Sequence, residues 1–250
     1  MKRLRWVGIS LAIVAMIVGT LLVFPTSRYL LLAYVRNEPL HDDRPMSYWA
    51  YQLRSDDPAK RHEAVVALGQ MGADARDAVP SLAAALRDSD DKVRLNVALT
   101  LYKIGPDAVP AVPQLGNALL DDHPQVRMNS ALALTRMGAA AEPALPQILV
   151  AYQNPENVPH ARPFNHSVKQ QLARLLGRIG PPSREAVPAL IASLTETDSG
   201  IRANAAFALG RIGPEAALAI PALELCLNDE NEAVRENAQT ALNSLRPPAP

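Results

Sequence analysis

Apolar side chains return at a fixed interval through most of this chain. Val93, Val97, Leu101 and Ile104 stand three or four residues apart, the spacing of one face of an α-helix. Leu115 and Leu119 follow as a second, shorter apolar run. The same order then recurs 33 residues further on, with arginine marking the register at Arg61, Arg94, Arg127, Arg202 and Arg235 and Lys169 in the fourth slot. A glycine follows each of the first five slots by 11 residues (Gly72, Gly105, Gly138, Gly180, Gly213), and a proline by 19 (Pro80, Pro113, Pro146, Pro188, Pro221). A period in this range predicts helical hairpins stacked side by side, because one hairpin cannot cover its own apolar face and two neighbours can. The fold expected is an all-α solenoid preceded by a single transmembrane helix.

Each unit resolves into a helix A and a helix B. Helix A opens at an Asp-rich cluster, where carboxylates accept from the free amides of the first turn and meet the positive end of the helix dipole. These clusters are Asp56-Asp57-Pro58, Asp88 to Asp91, Asp121-Asp122-His123-Pro124, Asp198-Ser199 and Asp229-Glu230. Glycine stops helix A at a positive φ. A Pro-Asp-Ala segment turns the chain, and the second proline opens helix B, where its missing amide is not needed. Backward extension of the register makes residues 47–54 a lone helix B, with Trp49 and Leu53 in the places of Leu82 and Leu86. Forward, residues 233–245 form a lone helix A, so the array expected over residues 47–246 is five full repeats closed by half repeats. Residues 247–250 are a Pro-rich tail. Arg127 to Lys169 is 42 residues, and the surplus falls at 153–165, a loop with three prolines.

The first 36 residues differ in kind. Lys2, Arg3 and Arg5 precede an uncharged apolar run at residues 7–24. As a helix that run is about 27 Å long, enough for the hydrocarbon core of a bilayer. No small-x-small cleavage pattern follows, which favours an uncleaved signal anchor over an export signal. The positive charges place the N-terminus in the cytoplasm and the repeats outside it. Residues 29–35 are expected to continue as a short helix at the membrane surface, and residues 37–46 to form a linker.

Charge and composition narrow the function. Lys and Arg number 25 and Asp and Glu 25, a balance that disfavours nucleic acid as the main ligand. One cysteine, Cys226, leaves no disulfide and no Cys-based zinc site, and its apolar surroundings predict an inert buried thiol. His123, His160 and His166 show no metal-ligand spacing, and no phosphate loop or nucleophile–base pattern stands out. No cofactor is expected. The repeated arginines are expected to pair bidentately with Asp residues between neighbouring repeats. Asn96, Asn129, Asn204 and Asn237, each two residues after its Arg, should bond backbone of the adjacent turn. A partner surface is sought one, five and eight residues after the Arg: Leu95, Leu99 and Tyr102; Met128, Leu132 and Thr135; Ala203, Phe207 and Gly210. His160, Arg162 and Phe164 of the long loop are further candidates, since insertions in repeat arrays map to loops that often bind.

The pattern Asp-x-x-Val-Arg-x-x-Ala-x-x-Ala-Leu-x-x-Ile-Gly followed by Ala-Val-Pro-x-Leu, seen at residues 90–115 and 198–223, resembles the short bacterial HEAT-like repeats also found in phycobilisome lyases. The resemblance covers residues 47–245 and implies an α-solenoid that acts as a binding scaffold. Deoxyhypusine hydroxylase is similar in its repeats and holds two irons through four His-Glu pairs. Only His62-Glu63 matches such a pair here, and one pair cannot hold a diiron centre, so His62 is expected to be a solvated helix residue. The function expected is a membrane-tethered, non-catalytic scaffold for protein partners, ahead of a lyase-like enzyme subunit or a secreted repeat module.

Overall fold

The computed structural model describes Tyr29 and residues 38–157 and 167–246. The expected anchor at 7–24, the rest of the surface helix at 30–35, the loop residues His160, Arg162 and Phe164, and the tail at 247–250 lie outside the described residues. Among the described residues no helix is long and apolar enough to cross a membrane.

A short helix α1 (Met46–Gln52) leads into α2 (Pro58–Met71) and α3 (Val79–Ala85), α4 (Asp91–Ile104) and α5 (Val112–Ala118), and α6 (Pro124–Met137) and α7 (Leu145–Gln153). After the long loop come α8 (Val168–Ile179) and α9 (Val187–Ser193), α10 (Ser199–Ile212) and α11 (Ile220–Cys226), and finally α12 (Glu232–Leu245). The even-numbered helices are the A helices, and each of them packs on the next. Leu68, Leu101, Leu134, Leu176, Leu209 and Leu242, all seven residues after the register position, are completely buried. One leucine per repeat therefore forms a continuous spine, and the core is a ribbon of small and medium side chains.

The caps follow local chemistry, with two departures from expectation. Asp57, Asp90 and Asp198 accept from first-turn amides of α2, α4 and α10. The third A helix is capped by His123, whose Nδ1 accepts from the Gln125 amide at 3.3 Å, and the last by Asn231, not by the acids of their clusters. Asp121 and Asp229 are drawn elsewhere, as described below. Ser167 and Gln170 form a reciprocal capping box on α8.

The five register glycines end their helices at φ between 58° and 84°. Their ψ values, −125° at Gly72 to −149° at Gly213, lie outside the left-handed helical well, in a region that only glycine occupies without strain. The segment after each glycine is a 3-10 helix, such as Gly105–Ala111, and not a bare turn. Where prolines stand in these segments, as at Pro106, Pro110 and Pro143, they fix φ near the 3-10 value and supply no amide for an α-helical ladder. Gly72–Ala78 forms the same 3-10 turn without one, and in it, as in its equivalents, an alanine (Ala75, Ala108, Ala141) is buried in the core.

The expected linker at 37–46 is also corrected. Leu40–His41 and Arg44–Pro45 pair antiparallel around Asp42 and Asp43, both at positive φ, as a tight two-residue hairpin requires. The hairpin closes the end of the stack. Trp49 Nε1 donates to the His41 carbonyl at 3.2 Å, the Met46 amide donates to the Pro39 carbonyl at 3.1 Å, and the Arg44 guanidinium lies 4.9 Å from the Tyr48 ring centre and 5.2 Å from that of Trp49. Tyr29 meets Tyr48 edge-on, its ring centre 5.7 Å away.

Candidate functional site

Three of the register arginines, Arg61, Arg94 and Arg202, form the same link. Arg94 Nε and Nη2 donate to the two carboxylate oxygens of Asp121 at 2.7 and 3.0 Å, and its Nη1 donates back to the carbonyls of Asp88 and Ser89 at 2.9 and 3.4 Å. One guanidinium thus ties the loop before its own repeat to the loop after it. Arg61 does the same with Asp88, and Arg202 with Asp229. Each of these carboxylates also accepts from the amide of the next helix's capping residue, Asp90, His123 or Asn231, at 2.9 Å. That second duty explains why Asp121 and Asp229 are not themselves the caps. Hydrogen bonding to Arg202 holds the Asp229 carboxyl below its ordinary pKa. For Asp88 and Asp121, burial acts against the charged form, but the arginine and the backbone amide outweigh it and the carboxyl is again lowered.

The long loop changes this link. At Arg127 the equivalent of the pairing acid is Asn154, whose Oδ1 accepts from the Glu156 amide at 2.9 Å. Arg127 Nε donates instead to Asn157 Oδ1 at 2.8 Å, with Glu156 at 3.7 Å. Asn157 is buried and its amide nitrogen donates to the Ala151 carbonyl at 2.8 Å. The first turn of the insertion is therefore built into the stack. Lys169 reaches Glu196 with a single contact of 2.5 Å, and its ammonium lies 5.5 Å from the ring centre of buried Tyr152. Arg235 donates to the carbonyls of Asp229 and Glu230 at 2.8 and 3.0 Å.

The asparagines bridge repeats too. Asn129 and Asn237 donate across the helix interface to the carbonyls of Leu95 and Ala203 at 3.3 and 3.0 Å. Asn96 donates to Lys92 within its own helix at 2.8 Å and lies 3.1 Å from His62 Nε2. His62 is consequently half-buried in this row, not a solvated residue. Asn204 is half-buried at the matching position of α10. Cys226 is buried, and burial raises its thiol pKa.

The face proposed for a partner is largely covered. Met128, Thr135 and Ala203 are buried between adjacent A helices, and Leu95, Leu99, Tyr102, Leu132, Phe207 and Gly210 are half-buried. Met128 in particular cannot contact a partner while the stack stays closed. Helical phase identifies which side chains leave the hairpin's own core, but the neighbouring hairpin then takes them up.

Next to that covered face lies a feature the sequence reading missed. Nine residues after the register position stand Lys103, Arg136, Arg178 and Arg211, all exposed at the C-terminal ends of A helices. Cations there are favoured by the helix dipole. Arg136 Nη1 donates to the Tyr102 carbonyl at 2.9 Å with its guanidinium carbon 5.3 Å from the Tyr102 ring centre, and Arg178 Nη1 donates to the Thr135 carbonyl at 2.7 Å. Each reaches back onto the preceding repeat. Arg136, Arg178 and Arg211, with Phe207, Met137, Gly138 and Ala139, line an open depression of about 450 Å³ that holds no carboxylate. The signal was available as a second basic residue at the same period.

Extended stacking, links between successive repeats and an open surface define a helical-repeat solenoid. The chain belongs to the HEAT-repeat family, which matches residues 47–115 and 154–243. Its fold is shared by a crystallised engineered protein at 23% identity (TM-score 0.63, covering 82% of this chain and 97% of that one). A designed armadillo repeat protein in complex with the peptide (KR)4 is similar at 16% identity (TM-score 0.65, 80% of this chain and 99% of that one). The complex of CpcE and CpcF of phycocyanin lyase from Nostoc sp. PCC7120 is similar at 25% identity (TM-score 0.52, 84% of this chain and 79% of that one). No curated protein sequence matches the chain.

Proposed function

We infer that this protein is a membrane-tethered scaffold whose HEAT repeats bind another protein and catalyse no reaction. The observation that supports it is the use made of the repeated polar residues. Arg61, Arg94 and Arg202 each commit their guanidinium to the carbonyls of one loop and the acid of the next, and Asn129 and Asn237 donate to neighbouring backbone, so the repeated chemistry holds the stack together. What remains for function is the extended outer surface, which suits a protein or peptide ligand. Residues 7–24 anchor the chain in the bilayer with the N-terminus in the cytoplasm, and the repeats stand on the other side. Confinement at the membrane raises the effective concentration against other envelope proteins. A second reading, a subunit of a lyase-like enzyme, draws on the similarity to CpcE and CpcF.

Cross-linking and co-purification of the full chain from native membranes tests the first reading. Recovery of a specific protein partner supports it; carbonate extraction that releases the chain, or a mature N-terminus beyond residue 24, removes the anchor. Turnover or a bound chromophore on the purified protein would support the second.

A further inference from the structure

We propose that the basic register Lys103–Arg136–Arg178–Arg211 is a docking track for an extended acidic segment of a partner protein. The proposal rests on the scaffold reading and deepens it by assigning the partner's chemistry.

Charge complementarity carries the argument. The chain as a whole is neutral, yet none of these four cations, nor exposed Arg174 one turn before Arg178, pairs with a carboxylate among the described residues. In the other register Arg61, Arg94 and Arg202 are matched with a nearly buried acid each, while Arg127 and Arg235 direct their closest bonds to neutral Asn157 and to backbone carbonyls. Glu142 and Glu215, on the 3-10 segments that follow α6 and α10, form no ion pair with the track either. Two of the guanidiniums are held in place from behind by carbonyls of the preceding repeat, Tyr102 for Arg136 and Thr135 for Arg178. A guanidinium fixed by one nitrogen keeps its other donors for a carboxylate and loses little side-chain freedom on binding. The depression floor at Met137, Gly138, Ala139 and Phe207 gives the backbone of such a segment a shallow seat.

Spacing argues for an extended chain. Packed helices lie about 8–10 Å apart, and a polyproline-II-like chain advances about 3.1 Å per residue with about three residues per turn, so every third side chain falls on one face and meets one repeat. Nucleic acid fits less well, because single-strand binding calls for exposed rings on which bases stack and Phe207 is half-buried.

The test uses the full chain in nanodiscs of neutral lipid and a dye-labelled peptide of Glu-Gly-Ser repeats, read by fluorescence anisotropy. The expected result is saturable binding that weakens with salt and is absent for a Gln-Gly-Ser peptide. The triple variant Arg136→Gln/Arg178→Gln/Arg211→Gln weakens binding about a hundredfold, and Arg211→Glu alone about tenfold. Arg211 makes no side-chain hydrogen bond or ion pair among the described residues, so its reversal lowers the melting temperature only by the lost helix-dipole interaction, about 1–4 °C, and separates lost binding from lost folding. The control Arg87→Gln/Arg184→Gln, exposed elsewhere, binds as the wild type. No binding by the wild type, equal binding by the triple variant, or tighter binding of oligothymidylate of equal charge overturns the proposal. If cross-linked partners are recovered equally with wild type and triple variant, the track falls and the scaffold reading stands. If the wild type recovers none, the scaffold reading itself fails.

Discussion

Replacing Arg202 with alanine removes the fullest of the links between repeats. The side chain is 10% exposed and that of Asp229 11%. The change deletes two bonds to Asp229, both 2.8 Å, and bonds to the carbonyls of Glu196 and Thr197 at 2.9 and 3.0 Å. It also leaves a nearly buried carboxylate facing a void. Stripping one partner from a buried pair costs about 3–5 kcal/mol, and because Asp229 can draw in water from the adjacent loop the lower end applies. A loss of about 3 kcal/mol in a chain of this size lowers Tm by about 6–12 °C. The damage is local, since a repeat contacts only its neighbours, so the amides of α12 exchange before those of α2. The assay is urea denaturation of the repeats from residue 38 onward, run as a cycle with Asp229→Asn and the double variant. At neutral pH the coupling energy is expected at about 2 kcal/mol. Asp229 has a folded pKa below its unfolded one, so it binds fewer protons when folded. Its contribution is complete above the unfolded value, about 3.9, and is lost as pH falls through the folded value. Coupling under about 0.5 kcal/mol at neutral pH would make the link an ordinary surface pair and refute the reasoning. So would coupling that persists unchanged in acid.

Other perturbations separate the remaining forces. Asn157→Ala leaves buried Arg127 without its neutral acceptor and costs about 2 kcal/mol in denaturant titration, whereas a loop without structural use predicts no change. Any truncation of the long loop for binding studies must therefore keep Asn157. Gly138→Ala meets no atom within 4 Å, so its cost, about 1–2 kcal/mol, is backbone strain at φ +61° alone. Gly210→Ala puts a methyl 2.8 Å from Ala241 Cα, and its cost of about 1–3 kcal/mol is read as faster exchange in α12. Tyr152, buried and donating to Ser193 Oγ at 2.8 Å, has its pKa pushed up to about 12, chiefly by burial. The folded state then holds the phenol proton longer than the unfolded one, and stability falls as pH rises from about 10 toward 12. Tyrosinate absorbance showing every tyrosine ionised by pH 10 would contradict this.

The repeat architecture was readable from one chain because its stabilising contacts are nearly all between residues one repeat apart. Period, helix boundaries and the buried leucine spine follow from that short range, and glycine at positive φ followed by proline marks each corner. The hairpin at 40–45 escaped notice because two-residue strands carry no periodicity. The choice between Asp88 and Asp90, or Asp121 and His123, as pairing acid or cap escaped it too. Asp88 and Asp90 have the same chemistry and differ only in where the preceding repeat's arginine lies, while Asp121 and His123 can both accept from first-turn amides and only Asp121 can also pair with Arg94. The apolar positions Leu99, Met128 and Leu132 looked available because helical phase fixes the direction of a side chain and not the approach of the next helix. Lys103, Arg136, Arg178 and Arg211 were visible as residues at a common interval, but their meaning was not. Ion pairing is settled by distance, and only the packed stack decides which of two equally periodic sets of cations meets its acids and which is left facing solvent.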